Sequence, residues 1–294
     1  MLGAALAVVW IGGSTRPKEH RTRSAEPAQS LLAAAPRTRL PRSTLNSTRK
    51  SQEARLSRLG FPVFCAGHRG HAIALTFDDG PGLYTDLALR ILRRDHARAT
   101  FFLVGRLLRD WPTLPARERA LGSLGDHTWS HPNLAALPPM AIAGQLEDTR
   151  RAIAAHAHVR VDLFRPPYGL RNAAVDRVAR QLGMLEVLWN VDSFDWAGAD
   201  AKGIARNVLN HVSPGAIVLM HENRGQTIKA LKFILLPALR RLRYRLVTVP
   251  ELLAVDPPTA AQLHRGLSGC SNNSASPGVL RFGSATVRSS RAQP

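Results

Sequence analysis

The amino-acid sequence predicts an α/β protein with a single catalytic domain built around a barrel-like parallel sheet. Short apolar runs alternate with helix-patterned segments, which is typical of parallel strands joined by helical crossovers. Five polar clusters each follow a different apolar run. This is the arrangement expected when an active site collects at the carboxyl ends of barrel strands. We count about seven strands, flanked on both sides by basic segments without periodicity.

The strands are predicted from short apolar runs that end in turn-forming residues. The first covers residues 72–77 and runs directly into Asp78 and Asp79. The others are predicted at residues 100–104, near 123–125, and at 161–164, 185–191, 216–220 and 245–249. Because ligands of α/β proteins bind at strand ends, the two aspartates are candidates for a functional site.

Between the strands, apolar residues recur at helical spacing. A short closing helix is predicted at residues 250–253, where proline occupies a favourable first position. The other helices are predicted at residues 86–93, 140–156, 172–182, 200–211 and 227–241.

The domain organisation follows from composition. We predict a catalytic domain at residues 61–258, a flexible basic linker at 14–60 and a flexible tail at 259–294, both flanks being disordered. Residues 1–13 contain an apolar stretch that is shorter than the ~20 residues needed to span a bilayer. We interpret it as a signal or anchor segment, although no basic residues precede it and no clean cleavage site follows. Secreted or cell-surface localisation is expected.

The formal net charge is +19, and more than half of it lies in the flanks. No helix-turn-helix, zinc finger or aromatic-plus-basic stripe accompanies this charge, so we expect no nucleic-acid partner. A basic protein is also attracted to an anionic cell wall or membrane surface. We therefore expect contact with an anionic cell-wall surface, and separately we expect a monomer.

Two histidines four residues apart, His127 and His131, suggest a metal site together with the Asp78-Asp79 pair. Two imidazoles and one carboxylate hold zinc with an open position for water, and the remaining carboxylate can act as a base. Each motif is weak alone. The same ligand types also serve non-haem iron oxygenases, so they do not determine the reaction by themselves.

Five motifs in order resemble those of the polysaccharide deacetylases, carbohydrate esterase family four, which share the NodB homology domain. They are TFDDG at residues 76–80, HTWSH at 127–131, RPPY at 165–168, DSFDW at 192–196 and LMH at 219–221. The resemblance covers about residues 70–255. It implies a deformed (β/α)7 barrel and a metal-dependent hydrolase that removes N-acetyl or O-acetyl groups from a polysaccharide.

The resemblance also implies roles for the metal-site residues. Asp79, His127 and His131 would bind a divalent metal, zinc by default and cobalt or another first-row dication as alternatives. Asp78 would be the general base that takes a proton from the attacking water. Arg165 would hold and orient this aspartate.

Five further residues receive roles from the same resemblance. His221 would protonate the departing amine, and Asp195 would hold and tune its imidazole. The backbone N–H of Tyr168 would stabilise the oxyanion. Trp196 and Leu219 would line an apolar pocket for the acetyl methyl group.

The substrate remains open between several acetylated glycans. N-acetylglucosamine in peptidoglycan or chito-oligosaccharides is favoured over acetylated xylan, and a catalytically impaired glycan-binding protein of the same fold is the competing class. Two positions depart from the family pattern, Gly122 in place of histidine and Glu222 in place of aspartate. Cys65 and Cys270 can form a disulfide in an oxidising compartment, and their pairing is left open.

Overall fold

Eight parallel strands form one curled sheet in the computed structural model, which describes residues 42–271. The strands are β1 (Ala72–Gly80), β2 (Ala99–Leu103), β3 (Ser123–Asp126), β4 (Leu163–Phe164), β5 (Leu185–Glu186), β6 (Val191–Asp192), β7 (Ile217–His221) and β8 (Arg245–Leu246). Their order is β5-β4-β3-β2-β1-β7-β6, and β8 pairs with β1. The predicted deformed barrel is confirmed, and its deformation lies where the terminal strands β5 and β6 are not paired with each other.

The sequence predicted one strand at residues 185–191, but this run forms two short strands, because the sheet is open between β5 and β6. The chain leaves the sheet edge at β5 and joins the opposite edge as β6 without an intervening helix. Residues 62–66 run alongside this crossing. The Val63 N–H donates to the Glu186 carbonyl (2.9 Å), and the Ala66 N–H donates to the Gly215 carbonyl (2.9 Å). This segment therefore supplies hydrogen bonds that a closing strand would otherwise make.

Ten α-helices accompany the described strands. They are α1 (Arg42–Leu59), α2 (Thr85–Arg94), α3 (Leu114–Leu121), α4 (Pro139–Ala157), α5 (Ala173–Gln181), α6 (Ala201–His211), α7 (Gly225–Ala230), α8 (Leu236–Arg241), α9 (Val249–Val255) and α10 (Ala260–Arg265). A π-helical stretch joins α7 to α8, so the predicted helix at 227–241 is one segment with a local change in hydrogen-bond spacing. Among the described helices, none has the length and apolarity needed to cross a membrane.

Strand β1 passes through the centre of the sheet, and its side chains alternate between two environments. Ile73, Leu75 and Phe77 pack among the helices outside the barrel, whereas Ala72 and Ala74 belong to the cluster inside it. This alternation is the two-residue period of a strand. The next interior positions on β1 are residues 76 and 78, so the strand directs a threonine and an aspartate into the upper part of the barrel.

The predicted linker at residues 14–60 differs from the structure because α1 occupies its last part. Leu56 is buried, the Ser57 hydroxyl donates to the Met184 carbonyl (3.2 Å), and Arg49 pairs with Glu251 of α9 (3.4 Å). Few apolar residues mark the inner face of α1, so the sequence pattern did not reveal it. Residues 1–41, including the predicted signal or anchor segment, lie outside the described residues.

The predicted tail at residues 259–294 also begins too early. Helix α10 and a following 3-10 turn (Gly266–Cys270) pack on the barrel, and the Gln262 side chain donates to the Ala66 carbonyl (3.2 Å). Cys270 forms a disulfide with Cys65, with their Cα atoms 5.9 Å apart. The pairing that the sequence left open is therefore formed, and the ordered fold extends beyond residues 61–258 on both sides.

Candidate active site

The five polar clusters follow β1, β3, β4, β6 and β7, and the sheet brings them together at its carboxyl end. Strand β1 is the reference because it pairs with both β2 and β7. Its register sets Asp78 directly opposite His221 on β7. On the other side of β1, Gly80 is opposite Leu103. The arrangement that the sequence predicted for the barrel rim is thus observed.

Asp79, His127 and His131 form a group that could hold a metal ion. The Asp79 Oδ1 atom lies 3.6 Å from His127 Nε2 and 3.3 Å from His131 Nε2. One ligand atom from each residue can be chosen so that all three lie within 4.8 Å of one another. Two imidazole nitrogens and one carboxylate oxygen match the ligand set of open, hydrolytic zinc sites. The donor set of this chain therefore fits a divalent metal.

The backbone and a neighbouring carbonyl orient these ligands. His127 Nδ1 lies 2.8 Å from the Arg165 carbonyl oxygen, so Nδ1 carries the ring proton and Nε2 is left to face the site. Asp79 and His131 both have left-handed backbone conformations, with φ of 65° and 62°. Burial lowers the pKa of His127 to about 3. A neutral imidazole is the form that binds metal.

Asp78 lies beside the metal-ligand group and is almost completely buried. Its Oδ1 accepts a hydrogen bond from Arg165 Nη1 (2.8 Å), and its Oδ2 lies 3.7 Å from His127 Nε2. Burial raises the pKa of Asp78, while the Arg165 guanidinium opposes this change. A carboxylate that is held in place with a raised pKa is better suited to accept a proton than an ordinary surface aspartate.

Arg165 is fully buried, and its guanidinium is fixed on all sides. Besides Asp78, it donates to the Thr76 hydroxyl (2.8 Å) and to the carbonyl oxygens of residues 187 and 188 (3.0 and 3.1 Å). The guanidinium carbon lies 4.1 Å from the centroid of the Phe102 ring. The roles of Thr76 and Phe102 were not assigned from the sequence, although the two-residue period of the strands indicates which side chains face the barrel interior.

His221 and Asp195 form a second hydrogen-bonded pair on the β7 side. The imidazole Nδ1 lies 2.7 Å from Asp195 Oδ1, and the His221 backbone N–H donates to Oδ2 (2.7 Å). Burial lowers the pKa of His221, but the hydrogen bond and charge of Asp195 outweigh it, so the pKa is raised overall. The Thr227 hydroxyl also donates to Asp195 (2.6 Å), and the sequence did not single out this residue.

Two aromatic residues of the motifs face solvent at the rim. Tyr168 is 64% exposed, has a φ of 61°, and its ring lies edge-on to His131 with centroids 4.7 Å apart. Trp196 is 51% exposed, and its indole N–H donates to Asp192 (3.2 Å). Leu219, the third residue predicted to contact substrate, is buried in β7. Tyr168 and Trp196 are therefore accessible to a large ligand, whereas Leu219 lies deeper.

The two departures from the family pattern occupy different surroundings. Gly122 lies at the carboxyl end of α3, where a Cβ atom would overlap the Ala99 carbonyl oxygen. This backbone position has no room for a side chain. Glu222 is fully buried directly after His221 and packs against Gly80, the last residue of β1.

The barrel topology and the three groups of polar residues at one rim agree with the polysaccharide deacetylase family that the motifs resemble. A family model described as polysaccharide deacetylase matches residues 66–187. The chain belongs to this family of hydrolases, since relatives at least 30% identical are matched over more than two thirds of their length.

The chain is 36% identical over 198 residues to a peptidoglycan-N-acetylglucosamine deacetylase of Bacillus cereus, covering 65% of this chain and 71% of that relative. It is 30% identical over 198 residues to a chitooligosaccharide deacetylase of Azorhizobium caulinodans, covering 61% and 93%. It spans 38% of the length of a peptidoglycan-N-acetylglucosamine deacetylase of Listeria monocytogenes. A solved peptidoglycan N-acetylglucosamine deacetylase superposes with a TM-score of 0.62 at 33% identity, covering 65% of this chain and 91% of that one.

Proposed function

We propose that this protein is a metal-dependent hydrolase that removes N-acetyl groups from a polysaccharide containing N-acetylglucosamine, either peptidoglycan or chito-oligosaccharide. The observation that carries the proposal is the meeting of Asp79, His127 and His131 beside a buried carboxylate, Asp78, whose strand neighbour is His221. This arrangement would supply a metal site, a base and an acid at one rim.

Asp79, His127 and His131 would hold the metal, with zinc as the default and cobalt or another first-row dication as alternatives. When bound, a dication of this kind lowers the pKa of a water molecule toward neutrality and polarises a carbonyl group. The neutral state of His127 and the orientation of its Nε2 atom favour this role.

The residues of the chain account for the proton transfers. Asp78 would accept a proton from the attacking water as the water oxygen bonds to the acetyl carbon, and Arg165 would keep its carboxylate oriented. His221 would donate a proton to the sugar nitrogen as the carbon–nitrogen bond breaks, giving acetate and a free amine. The His221 Nδ1 atom is hydrogen-bonded to Asp195, so Nε2 is the atom available to donate this proton. The Tyr168 N–H would stabilise negative charge on the acetyl oxygen.

Several features support a polysaccharide outside the cytoplasm as the substrate. Tyr168 and Trp196 expose aromatic faces at the rim, and aromatic rings suit contact with amphipathic ligands such as sugar rings. The disulfide between Cys65 and Cys270 favours an oxidising compartment, consistent with a secreted or cell-surface enzyme. The net charge of +19 favours contact with an anionic cell wall. We propose a monomer without a nucleic-acid partner.

The test is acetate release by the full-length chain from N-acetylglucosamine oligomers, peptidoglycan and acetylated xylan. Activity is measured after chelation and again after zinc or cobalt is restored. Metal-dependent acetate from the first two substrates supports the proposal, and acetate from xylan alone would assign an acetyl xylan esterase instead. Metal binding without acetate from any substrate would indicate a catalytically impaired glycan-binding protein.

A further inference from the structure

Two buried carboxyl groups meet behind the turn that follows β1. Glu118 lies on α3, and Glu222 follows β7 directly after His221. Both residues are 0% exposed, and their carboxyl groups are close enough to affect each other's ionisation. None of the four carboxyl oxygens has a hydrogen-bond partner at ordinary distance and angle among the described residues, and the Thr85 hydroxyl is only a weak partner of Glu222. Buried polar atoms without partners are rare and require an explanation.

A proton shared between the two carboxyl groups would give them the hydrogen bond that they otherwise lack. Two ionised carboxylates have only acceptors and repel each other, whereas a protonated carboxyl group can donate its O–H to the other. The positive charge that acts on Glu118 is that of Arg117, which also pairs with Asp86. Burial raises the pKa of Glu222 to about 7 and that of Glu118 well above its usual value.

Glu222 is in direct contact with the backbone at the carboxyl end of β1. A Cβ atom on Gly80 would overlap the Glu222 carboxyl group, so this side chain packs against the strand end itself. The Glu222 backbone N–H also points to the Asp78 carbonyl oxygen (3.4 Å). The Thr85 hydroxyl lies beside the Glu222 carboxyl group and accepts a hydrogen bond from the Gly82 N–H (2.8 Å). Glu222 is therefore linked to both ends of the turn.

We propose that Glu118 and Glu222 share one proton as an acid–carboxylate pair, and that this pair positions the carboxyl end of β1, which carries Asp78 and Asp79. Neither glutamate touches the substrate in this proposal, so both are positioning residues. The inference rests on the proposed function, because the placement of Asp78 and Asp79 matters through their roles as base and metal ligand. It also gives a structural role to the glutamate that departs from the family pattern.

The experiment compares amide and alanine replacements in the full-length, zinc-loaded protein. In Glu118→Gln or Glu222→Gln, an amide N–H can donate to the remaining carboxylate, so we expect a kcat within about 3-fold of the unmodified protein. Glu118→Ala or Glu222→Ala leaves one buried carboxyl group alone. We expect kcat to fall about 10- to 100-fold with KM changed less than about 2-fold, since small misplacements of catalytic groups reduce rates by such factors.

Two measurements separate positioning from general stability. Asp256→Ala removes another buried carboxylate, which accepts hydrogen bonds from the Arg69 and Gly70 N–H groups before β1. We expect this control to lower the melting temperature and leave kcat unchanged. Backbone hydrogen exchange at residues 78–85 should be faster in the alanine variants than in the glutamine variants. This second measurement does not depend on activity.

Three results would overturn the proposal. The shared proton is wrong if the glutamine variants lose as much kcat as the alanine variants, and positioning is wrong if the alanine variants keep normal kcat and exchange. If the alanine variants do not fold, Glu118→Asp keeps the charge but shortens the side chain, and normal kcat in that variant contradicts the pair. If the unmodified protein releases no acetate at all, the proposed function fails, while the exchange comparison still decides the positioning role.

Discussion

At the residue scale, Arg165 controls the direction of the proposed base. Its guanidinium is bonded to Asp78, to the Thr76 hydroxyl and to two carbonyl oxygens, so it cannot turn without breaking several buried hydrogen bonds. Removing one partner of a buried ion pair is strongly destabilising because the other charge is left alone. The same contacts that hold the fold therefore also fix the carboxylate of Asp78 relative to Asp79, His127 and His131.

Replacement of Asp78 separates the base from the metal site. We expect Asp78→Ala to reduce kcat by about 10²- to 10⁴-fold, the contribution typical of a general base, with metal still bound. His127→Ala should lose both activity and metal. Acetate release and zinc content of the two purified variants check this prediction. An Asp78 variant that retains most of its activity would refute the assignment of the base.

Replacement of Asp195 should change the pH dependence of activity. In the folded protein the Asp195 carboxylate raises the pKa of His221 against the effect of burial, so the imidazolium persists to higher pH. Asp195→Asn leaves burial as the dominant influence and lowers this pKa. We expect the fall of kcat/KM on the alkaline side to move to lower pH. Thr227→Val is the control, because it leaves the contact between Asp195 and His221 in place. An unchanged alkaline limb in the asparagine variant would argue for a different acid.

The sequence predicted the polar residues of the motifs but not all of the buried residues that pack against them. The types and spacing of His127, His131 and the aspartate pair indicated a metal site, the family resemblance singled out Asp79 as the third ligand, and the structure brings the three residues together. Glu118 lies in a charged stretch whose composition is typical of a solvent-exposed helix face. Its carboxyl group is buried near Glu222, which is distant in sequence, and no local pattern encodes that contact.

At the scale of elements, β1 was predictable and the crossing from β5 to β6 was not. Strand β1 is mainly apolar up to Phe77, so its type is encoded locally, although the strand continues through Asp78 and Asp79 to Gly80, three residues beyond the predicted end. The run at residues 185–191 is also apolar, which predicts one strand. It becomes two because the sheet does not close there and Val63 takes one of the pairing positions. Sheet closure is a property of the whole barrel that a local pattern does not contain.

Helix α1 should contribute to stability although it precedes the barrel. Leu56 is 1% exposed, and we expect Leu56→Ala to lower the free energy of unfolding by about 2–5 kcal/mol, the range for large-to-small substitutions in a core. Leu59 is the last residue of the same helix and is 44% exposed, so Leu59→Ala should change the free energy of unfolding by less than about 0.5 kcal/mol. Urea unfolding of both variants measures the difference. Equal effects would show that α1 does not pack as described.

At the scale of the whole molecule, the disulfide joins residues on the two sides of the barrel sequence. Cys65 and Cys270 are 205 positions apart, and closing so long a loop restricts the unfolded chain. We expect Cys65→Ser/Cys270→Ser to lower the free energy of unfolding by about 2–4 kcal/mol. Denaturant unfolding with and without reductant checks this. Reductant should destabilise the unmodified protein and leave the double variant unchanged, and the reverse pattern would contradict the bond.

The position of this bond has a practical meaning for a substrate that is itself a long chain. The backbone of Cys65 forms an isolated antiparallel β-bridge with Ala216, just before the amino end of β7. His221 is at the carboxyl end of the same strand. A tag or surface linker attached after Cys270 would thus begin on the side of the barrel away from the rim. An enzyme immobilised in this way would keep its rim free, so a polymer could pass over it without threading past the support.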